Sequence, residues 1–456
     1  MRQFLNLIFL AGIMLLGGCN PNNQVRIFID NQSELKDSLV IRDFITQEHI
    51  VILPYNVPVT LIKIDYPTLF SIARLSDPDN SLYWGILSPN RDKTIKIDSG
   101  EKLGTNCLAD SLLHQLFVSN NSFIGQHQNF IFRAEDPIEV FNLFDSLIIQ
   151  RDSLINRFEK NLTSAEREIL LFQNSGRAYS FLFFYGRLIK NLDPDNPYWE
   201  FIKHIDNHSN YNRSLPHNLL YKFEIEYLRK HHELKSIPSF IDFIHLQTNN
   251  RDLANYLTAI YIKELIASPS YWKRHNKLFD AVSLQQILEE QKNNPYREVY
   301  ERVVENFFAS QKGMEAFNFT AIDTKNQPVK LSDFSGQFVL IAVWATWCGP
   351  CIAQKPHFYK LSSNHNFRDN IQFITISVES SIDRWQNFLA ENRNLQGEVL
   401  ELIVPAGKRT EFLERYSATF LPKYILIDQE GKIIDADAPK PSQELESMLN
   451  GLLSMN

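Results

Sequence analysis

A chain of 456 residues, 44% of them hydrophobic, holds material for two or three packed domains. Its 46 Lys and Arg against 53 Asp and Glu leave a formal charge of −7. No basic stripe is interleaved with aromatics, which argues against nucleic acid as a partner.

The chain begins MRQFLNLIFLAGIMLLGGC, with Arg2 ahead of an apolar run from Phe4 to Leu16 and two glycines before Cys19. This is the layout of a secretory signal, and Leu16-Gly17-Gly18-Cys19 resembles a bacterial lipobox. That resemblance implies removal of residues 1–18 and a lipid on Cys19. The other reading, an uncleaved anchor, meets a run that is short for a span of about 20 residues. No later apolar run reaches about 18 residues, so the expected body is tethered to a membrane rather than threaded through it. With Cys19 set aside, Cys107, Cys348 and Cys351 remain, an odd number that argues against a disulfide framework. Cys107, in EKLGTNCLAD, reads as a small hydrophobe.

Residues 19–107 read as a small antiparallel β domain. Segments such as VRIFID, SLVIRDF, HIVILP, VTLIKI, FSIARL, LYWGIL and KTIKID are short and rich in Ile, Val and Leu. Turn formers separate them at Asp30-Asn31, Pro54-Tyr55-Asn56, Asp77-Pro78-Asp79-Asn80 and Pro89-Asn90. Residues 108–312 change to helical periodicity and read as an all-α domain. Asp136 is the expected N-cap of one helix, with Pro137 at its first position and Glu139 closing a capping box; Thr163 and Glu166 repeat the device. Further helices are expected near 218–230, 251–267 and 294–308, with Pro197, Pro216 and Pro238 as breaks. The aromatic residues here read as core. His232-Glu233 is followed by Ser236 where a zinc-protease helix needs a second histidine, so no metal is expected. Asp-Ser-Leu occurs at Asp37, Asp110, Asp145 and Asp152; it resembles a Bacteroidetes O-glycosylation acceptor, and its simpler reading is helix surface or cap.

From Gly313 to the end, strands alternate with helices. FVLIAVW is a continuous apolar strand, followed by a helix from Cys351 toward Leu361. IQFITISVE, ELIVP, YILID and GKIIDAD are further strands, and helices are expected at SIDRWQNFLAENR, KRTEFLERYS and 443–453. The pattern predicts a sheet with parallel strands, finished by a hairpin across Asp428-Gln429-Glu430-Gly431.

VWATWCGPC carries the chemistry. A Cys-X-X-Cys at the junction of a buried strand and a helix sets Cys348 beside unsatisfied backbone N–H groups, where the helix field favours thiolate over thiol. Cys351 follows one turn on, Gly349 permits a tight turn, and Pro350 fixes φ at the helix start. The chemistry that results is thiol–disulfide exchange. Trp347-Cys348-Gly349-Pro350-Cys351 behind FVLIAVWAT resembles thioredoxin, and the flanks narrow the likeness to the TlpA/ResA-like oxidoreductases. FNFTAIDTKNQPVKLSDFSGQFVLIAVWATWCGPC, Pro356 and YSATFLPKYILIDQEGKI carry it over about a third of the chain, residues 313–453.

The resemblance implies a thioredoxin-like α/β fold for residues 313–456, with Cys348 attacking and Cys351 resolving. It makes Pro422 a cis-proline beside the dithiol and leaves the Leu421 backbone open to a substrate chain, with Trp347 completing that surface. It implies no cofactor. Its partners would be disulfide-containing exported proteins and a membrane thiol electron donor, at an envelope site facing the periplasm. Three positions depart from the pattern. Ala342 stands where thioredoxin has a buried Asp, Gln354 where the TlpA/ResA-like proteins have Glu, and Lys423 where Thr is common. Neither position offers Cys351 a carboxylate, so Gln354→Glu is expected to speed release of a trapped substrate, with Glu379 and His357 as the other candidate bases. Two rival readings stand: a thiol peroxidase, against which Ala345 replaces the needed Thr, and a sensor or scaffold that binds a partner through its helical region.

Overall fold

The computed structural model describes residues 24–31, 38–43, 49–54, 57, 59–64, 68–75, 77–88, 91–97, 103–105, 107–209, 211–268, 272–392, 399–418 and 420–454. Residues 1–18, Cys19, Asp37 and the expected turns at 55–56 and 89–90 lie outside them. Among the described residues no helix is long and apolar enough to cross a membrane. The contacts divide the chain into two compact units, Met1–Lys235 with Ser239–Leu257, and Ser236–Pro238 with Thr258–Asn456.

The first unit opens with eight strands: β1 (Gln24–Asn31), β2 (Leu39–Asp43), β3 (His49–Leu53), β4 (Val59–Lys63), β5 (Thr68–Arg74), β6 (Asp77–Leu87), β7 (Lys93–Ile97) and β8 (Leu103–Thr105). They form two four-stranded sheets, β4-β1-β7-β8 and β3-β2-β5-β6. Alternate residues of both sheets bury one core, with Val25, Ile27 and Ile95 on one side and Ile41, Phe70 and Ile72 on the other. Three expectations need correction, the first being the turn at Asp30-Asn31, which instead forms the end of β1 and pairs with β7. The pairing is not wholly antiparallel, because β1 and β7 run parallel from Ile27↔Lys93 to Asn31↔Ile97. Asp77-Pro78-Asp79-Asn80 is not a turn but the first part of β6, where two register shifts against β5 absorb residues that a regular ladder would reject.

Helices follow: α1 (Leu108–Gln126), α2 (Gln128–Arg133), α3 (Pro137–Arg157), α4 (Ser164–Phe184), α5 (Pro216–His231), α6 (Ile237–Gln247) and α7 (Arg251–Ala267). The last two cross the division between units. Asp136 caps α3 by accepting from the Ile138 N–H at 2.9 Å, without the reciprocal bond expected from Glu139. Thr163 and Glu166 do form the box at α4. Pro197, Pro216 and Pro238 sit in the first turns of helical segments, where no N–H is needed.

Asp110 is neither cap nor surface. It lies in α1 only 1% exposed, and its carboxylate accepts from the Lys93 ammonium at 2.7 Å, the Tyr83 hydroxyl at 3.0 Å and the Ile86 N–H at 2.9 Å. Gly85 makes room for it: a Cβ there would stand 2.7 Å from the carboxylate carbon. The ion pair thereby pins α1 to the sheet over Leu69, Ile86, Leu112 and Leu113.

In the second unit α8 (Lys273–Asn276), α9 (Ala281–Glu290) and α10 (Glu298–Ala309) precede a sheet. Its strands are β9 (Thr320–Asp323), β10 (Pro328–Lys330), β11 (Phe338–Trp344), β12 (Ile371–Ser377), β13 (Leu400–Ile403), β14 (Lys423–Ile427) and β15 (Ile433–Asp435). Helices α11 (Gly349–Ser362), α12 (His365–Arg368), α13 (Ile382–Glu391), α14 (Ala406–Arg415) and α15 (Gln443–Ser454) lie between or after them. The order is β10-β9-β13-β12-β11-β14-β15, with β13, β12 and β11 parallel and β14 and β15 returning antiparallel. All seven residues of β11 are buried, because both faces of the sheet are covered. One face packs Ile341 and Val343 with Trp385 and Phe412 from α13 and α14; the other packs Leu340 and Ala342 with Phe358 and Leu445 from α11 and α15. The final hairpin turns through Gly431 at φ +85, a conformation other residues reach only at a cost.

Replacing Asp110 by Ala would leave the Lys93 ammonium buried without its carboxylate. Chemical denaturation should show a loss of about 3–5 kcal/mol in the first unit. A loss below about 1 kcal/mol would mean that the pair is not what fixes α1 to the sheet.

Candidate active site

Strand β11 ends at Trp344, and Ala345-Thr346-Trp347 carries the chain to α11, whose N-cap is Cys348. The Cys348 Sγ accepts from the Cys351 N–H at 3.2 Å. That contact places one of the helix's orphan donors on the sulfur, the arrangement that stabilises a thiolate. Cys348 and Cys351 form a disulfide with Cα atoms 5.2 Å apart. Cys348 is 6% exposed, Cys351 2% and the neighbouring Trp347 66%, so the pair is reached past one projecting indole. Pro350 stands in the first turn of α11, and Pro356 lies inside it, where it has no N–H to offer the carbonyl of Ile352.

The Leu421–Pro422 peptide bond is cis. Leu421 lines an apolar groove of about 360 Å³ together with Trp347, Val378, Leu413 and Arg409. Pro422 borders a separate, smaller space with Cys351, Ala342, Trp344, Lys355 and Thr375. Lys423, next in β14, faces Val343 in register and pairs with Asp437 at 3.3 Å. Gln354 is half-buried and His357 exposed, and neither lines that smaller space among the described residues. Glu379 is buried at the end of β12, bound by the Thr346 hydroxyl, the Ser380 N–H at 2.9 Å and Arg384 at 3.2 Å. Burial raises its pKa, but those donors and the guanidinium outweigh it and hold the carboxyl below its usual range. Cys107 is half-buried at the start of α1, in the first unit.

Sequence reasoning missed a cluster beneath the disulfide. The Lys355 ammonium, 5% exposed, reaches the Glu401 carboxylate at 3.2 Å and the Tyr359 hydroxyl at 2.8 Å, and lies 3.7 Å from the centre of the Trp344 ring. Tyr359 and Thr375 also donate hydroxyl hydrogen bonds to Glu401. Burial and the Glu401 charge both push the Tyr359 hydroxyl up, keeping it a donor. Two signals could have pointed there. Lys355 follows Cys351 by one helical repeat, on the same face of α11, and Glu401 is the single charge in the apolar strand LELI.

Among the described residues, no group of three or more His, Cys, Asp or Glu could hold a metal ion. What the site offers is a reversible two-electron couple between a disulfide and two thiols. Known proteins resemble this part of the chain. A Redoxin family profile matches residues 311–453. The thiol-disulfide oxidoreductase ResA of Bacillus thuringiensis subsp. konkukian is 28% identical over 138 residues, covering 30% of this chain and 76% of that protein. ResA of Bacillus subtilis is 26% identical over 137 residues, covering 30% and 72%. Among solved structures, the thioredoxin domain of a thiol-disulfide oxidoreductase from Bacteroides vulgatus is 25% identical, covering 31% of this chain and 98% of its own, with a TM-score of 0.28. The C-terminal part of the chain, residues 311–453, is thus a Redoxin domain of thioredoxin-like type, with the ResA thiol-disulfide oxidoreductases as its relatives.

Proposed function

We propose that the protein reduces disulfides of exported proteins in a bacterial cell envelope, anchored by a lipid on Cys19, with Cys348 as attacking and Cys351 as resolving thiol. The supporting observation is the disulfide at the N-terminus of α11, its outer sulfur bonded to a helix N–H and its inner one buried. Attack by the Cys348 thiolate on a substrate disulfide gives a mixed disulfide and releases one substrate thiol; Cys351 then displaces the other. A membrane thiol donor would restore the dithiol. Trp347, Leu421 and Pro422 form the surface on which the substrate chain lies. In this reading residues 313–456 are the redox domain, and residues 19–107 and 108–312 are β-rich and helical domains before it.

Insulin reduction and peroxide consumption, each run with wild type and Cys348→Ser, test this. Cys348-dependent insulin reduction without peroxide turnover is expected. Turnover of peroxide would support a peroxidase, and no Cys348-dependent activity in either assay would support a scaffold. In the reduced protein, iodoacetamide should label Cys348 before Cys351, with an apparent pKa below about 8.5; faster labelling of Cys351 would reverse the two roles.

Trp347 provides the second test. Its exposed ring can contact a polypeptide but adds little to attack on a small disulfide. Trp347→Ala should slow insulin reduction about tenfold, the worth of one aromatic contact, and leave the reaction with a small aromatic disulfide within about twofold. Equal slowing of both would place the indole in the chemistry of Cys348 rather than in substrate contact.

A further inference from the structure

Resolution needs Cys351 as a thiolate, yet this thiol is 2% exposed and sits past the N-cap of its helix. Burial favours the neutral thiol, so a neighbouring group has to take the proton. Gln354 cannot do so near neutral pH, and Ala342 has no functional side chain.

The geometry points to the buried Lys355–Glu401 pair as the proton acceptor of Cys351. This rests on the oxidoreductase reading above. Lys355 and Cys351 border the same small cavity, about 10 Å³, which has room for roughly one water. The two residues thus share a space in which a single water could relay a proton. Behind Lys355, Glu401 lies in the same register row as Ala342: Ala342 pairs with Thr375 across β11 and β12, and Thr375 pairs with Glu401 across β12 and β13. The sheet thus carries its carboxylate two strands from the Ala342 position, and the Lys355 side chain from α11 bridges back toward the cysteine.

Protons and electrons balance as follows. The Cys351 thiol gives its proton to Lys355 as Lys355 gives one to Glu401, leaving a thiolate, an ammonium and a neutral carboxylic acid. The thiolate attacks the Cys348 Sγ, and the bond from that sulfur to the substrate breaks. Its electron pair leaves on the substrate sulfur, which takes a proton from solvent, and Glu401 then gives up its proton to solvent by way of Lys355, restoring the ion pair. Two electrons have passed from the enzyme dithiol to the substrate. Burial lowers the Lys355 pKa against the opposing charge of Glu401, the direction that lets the ammonium pass a proton on.

The groups facing Lys355 are few. Helix α11 presents Cys351 and Tyr359, β13 presents Glu401 and β14 presents Tyr424, whose hydroxyl burial pushes well above its ordinary range. Strands β11 and β12 contribute Ala342, Trp344 and Thr375, none of which titrates near neutral pH. Among the described residues bordering that space with Cys351, Lys355 is the group whose ionisation burial brings toward neutral pH, and Glu401 is its ion-pair partner.

The experiment is stopped-flow decay of a preformed mixed disulfide between Cys348 and a fluorescent peptide, from about pH 6 to about pH 9, a range that spans the free-thiol pKa. Lys355→Met with Glu401→Gln removes both charges together, which spares the fold the cost of an unpaired ion. At pH 7 this double variant should resolve about 100-fold more slowly than wild type, the lower end of general-base catalysis. Its rate should rise about tenfold per pH unit toward the free-thiol pKa near 8.5, whereas wild type levels off below it. A folded double variant with the wild-type rate and profile would overturn the assignment. Should the double variant not fold, Gln354→Glu decides on the helix's half-buried side. If Lys355 and Glu401 already serve Cys351, Gln354→Glu changes the pH 7 rate less than about twofold, whereas an acceleration approaching 100-fold would show that no base was in place. Failure to form the Cys348 mixed disulfide at all would instead count against the oxidoreductase reading.

Discussion

Everything at the redox site depends on the burial of one strand. All seven residues of β11 are covered, since α13 and α14 pack one face of the sheet while α11 and α15 pack the other. A strand enclosed on both faces and hydrogen-bonded on both edges, to β12 and to β14, cannot slip by a residue without driving its side chains into the wrong core. Trp344 is therefore a fixed point, and so is the N-cap of α11, Cys348, four residues beyond it. The disulfide inherits its position from the sheet, which holds both sulfurs rigidly although an exposed indole stands beside them.

The same burial makes any charge beneath the disulfide costly. The sheet accommodates a carboxylate there, Glu401, with three donors: Thr375 from β12 and Lys355 and Tyr359 from α11. A carboxylate so bonded is compensated, and the lysine above it is held by that carboxylate and by the Trp344 face. The first unit uses the same device for another purpose, setting Lys93 against Asp110 with Tyr83 and the Ile86 N–H completing the acceptor's shell. That pair joins a helix to a sheet, whereas Lys355 and Glu401 sit where a proton has to move.

The redox domain was legible because its local signals and its burial agree. FVLIAVW, IQFITIS and YILI are apolar runs bounded by turn formers, and each became a strand of the central sheet. WCGPC identified its own chemistry because spacing, turn residue and helix start are contiguous in sequence. Asp77-Pro78-Asp79-Asn80 misled because pairing with β5 overrode strong turn chemistry. Glu139 had the right spacing for a box at α3, but the Asp136 side chain bonds the Ile138 N–H instead. Glu401 was illegible for a different reason. Its meaning depends on a row that joins Ala342, Thr375 and Glu401 from three strands and on a lysine from a helix, none adjacent in sequence.

In the proposed reaction the two cysteines are served by different physics, and the order of the steps follows from that. The Cys348 sulfur accepts from a backbone N–H at the start of α11, a field that exists whenever the helix is folded and that needs no proton acceptor. It can stand ready as a thiolate before any substrate arrives. Cys351, further into the first turn, meets a weaker field and is more deeply covered, so in the proposed reaction its thiolate is made when required. A permanent charge on both sulfurs would set two anions within the 5.2 Å that separates their Cα atoms and raise the pKa of each. An acceptor that takes the Cys351 proton only as the new sulfur–sulfur bond forms avoids that repulsion. Lys355 suits the step better than a lone carboxylate would, because it keeps a positive charge beside the emerging thiolate while Glu401 carries the proton. The Lys355 ammonium, bonded to the carboxylate, also offsets the negative charge that Glu401 carries in the resting pair.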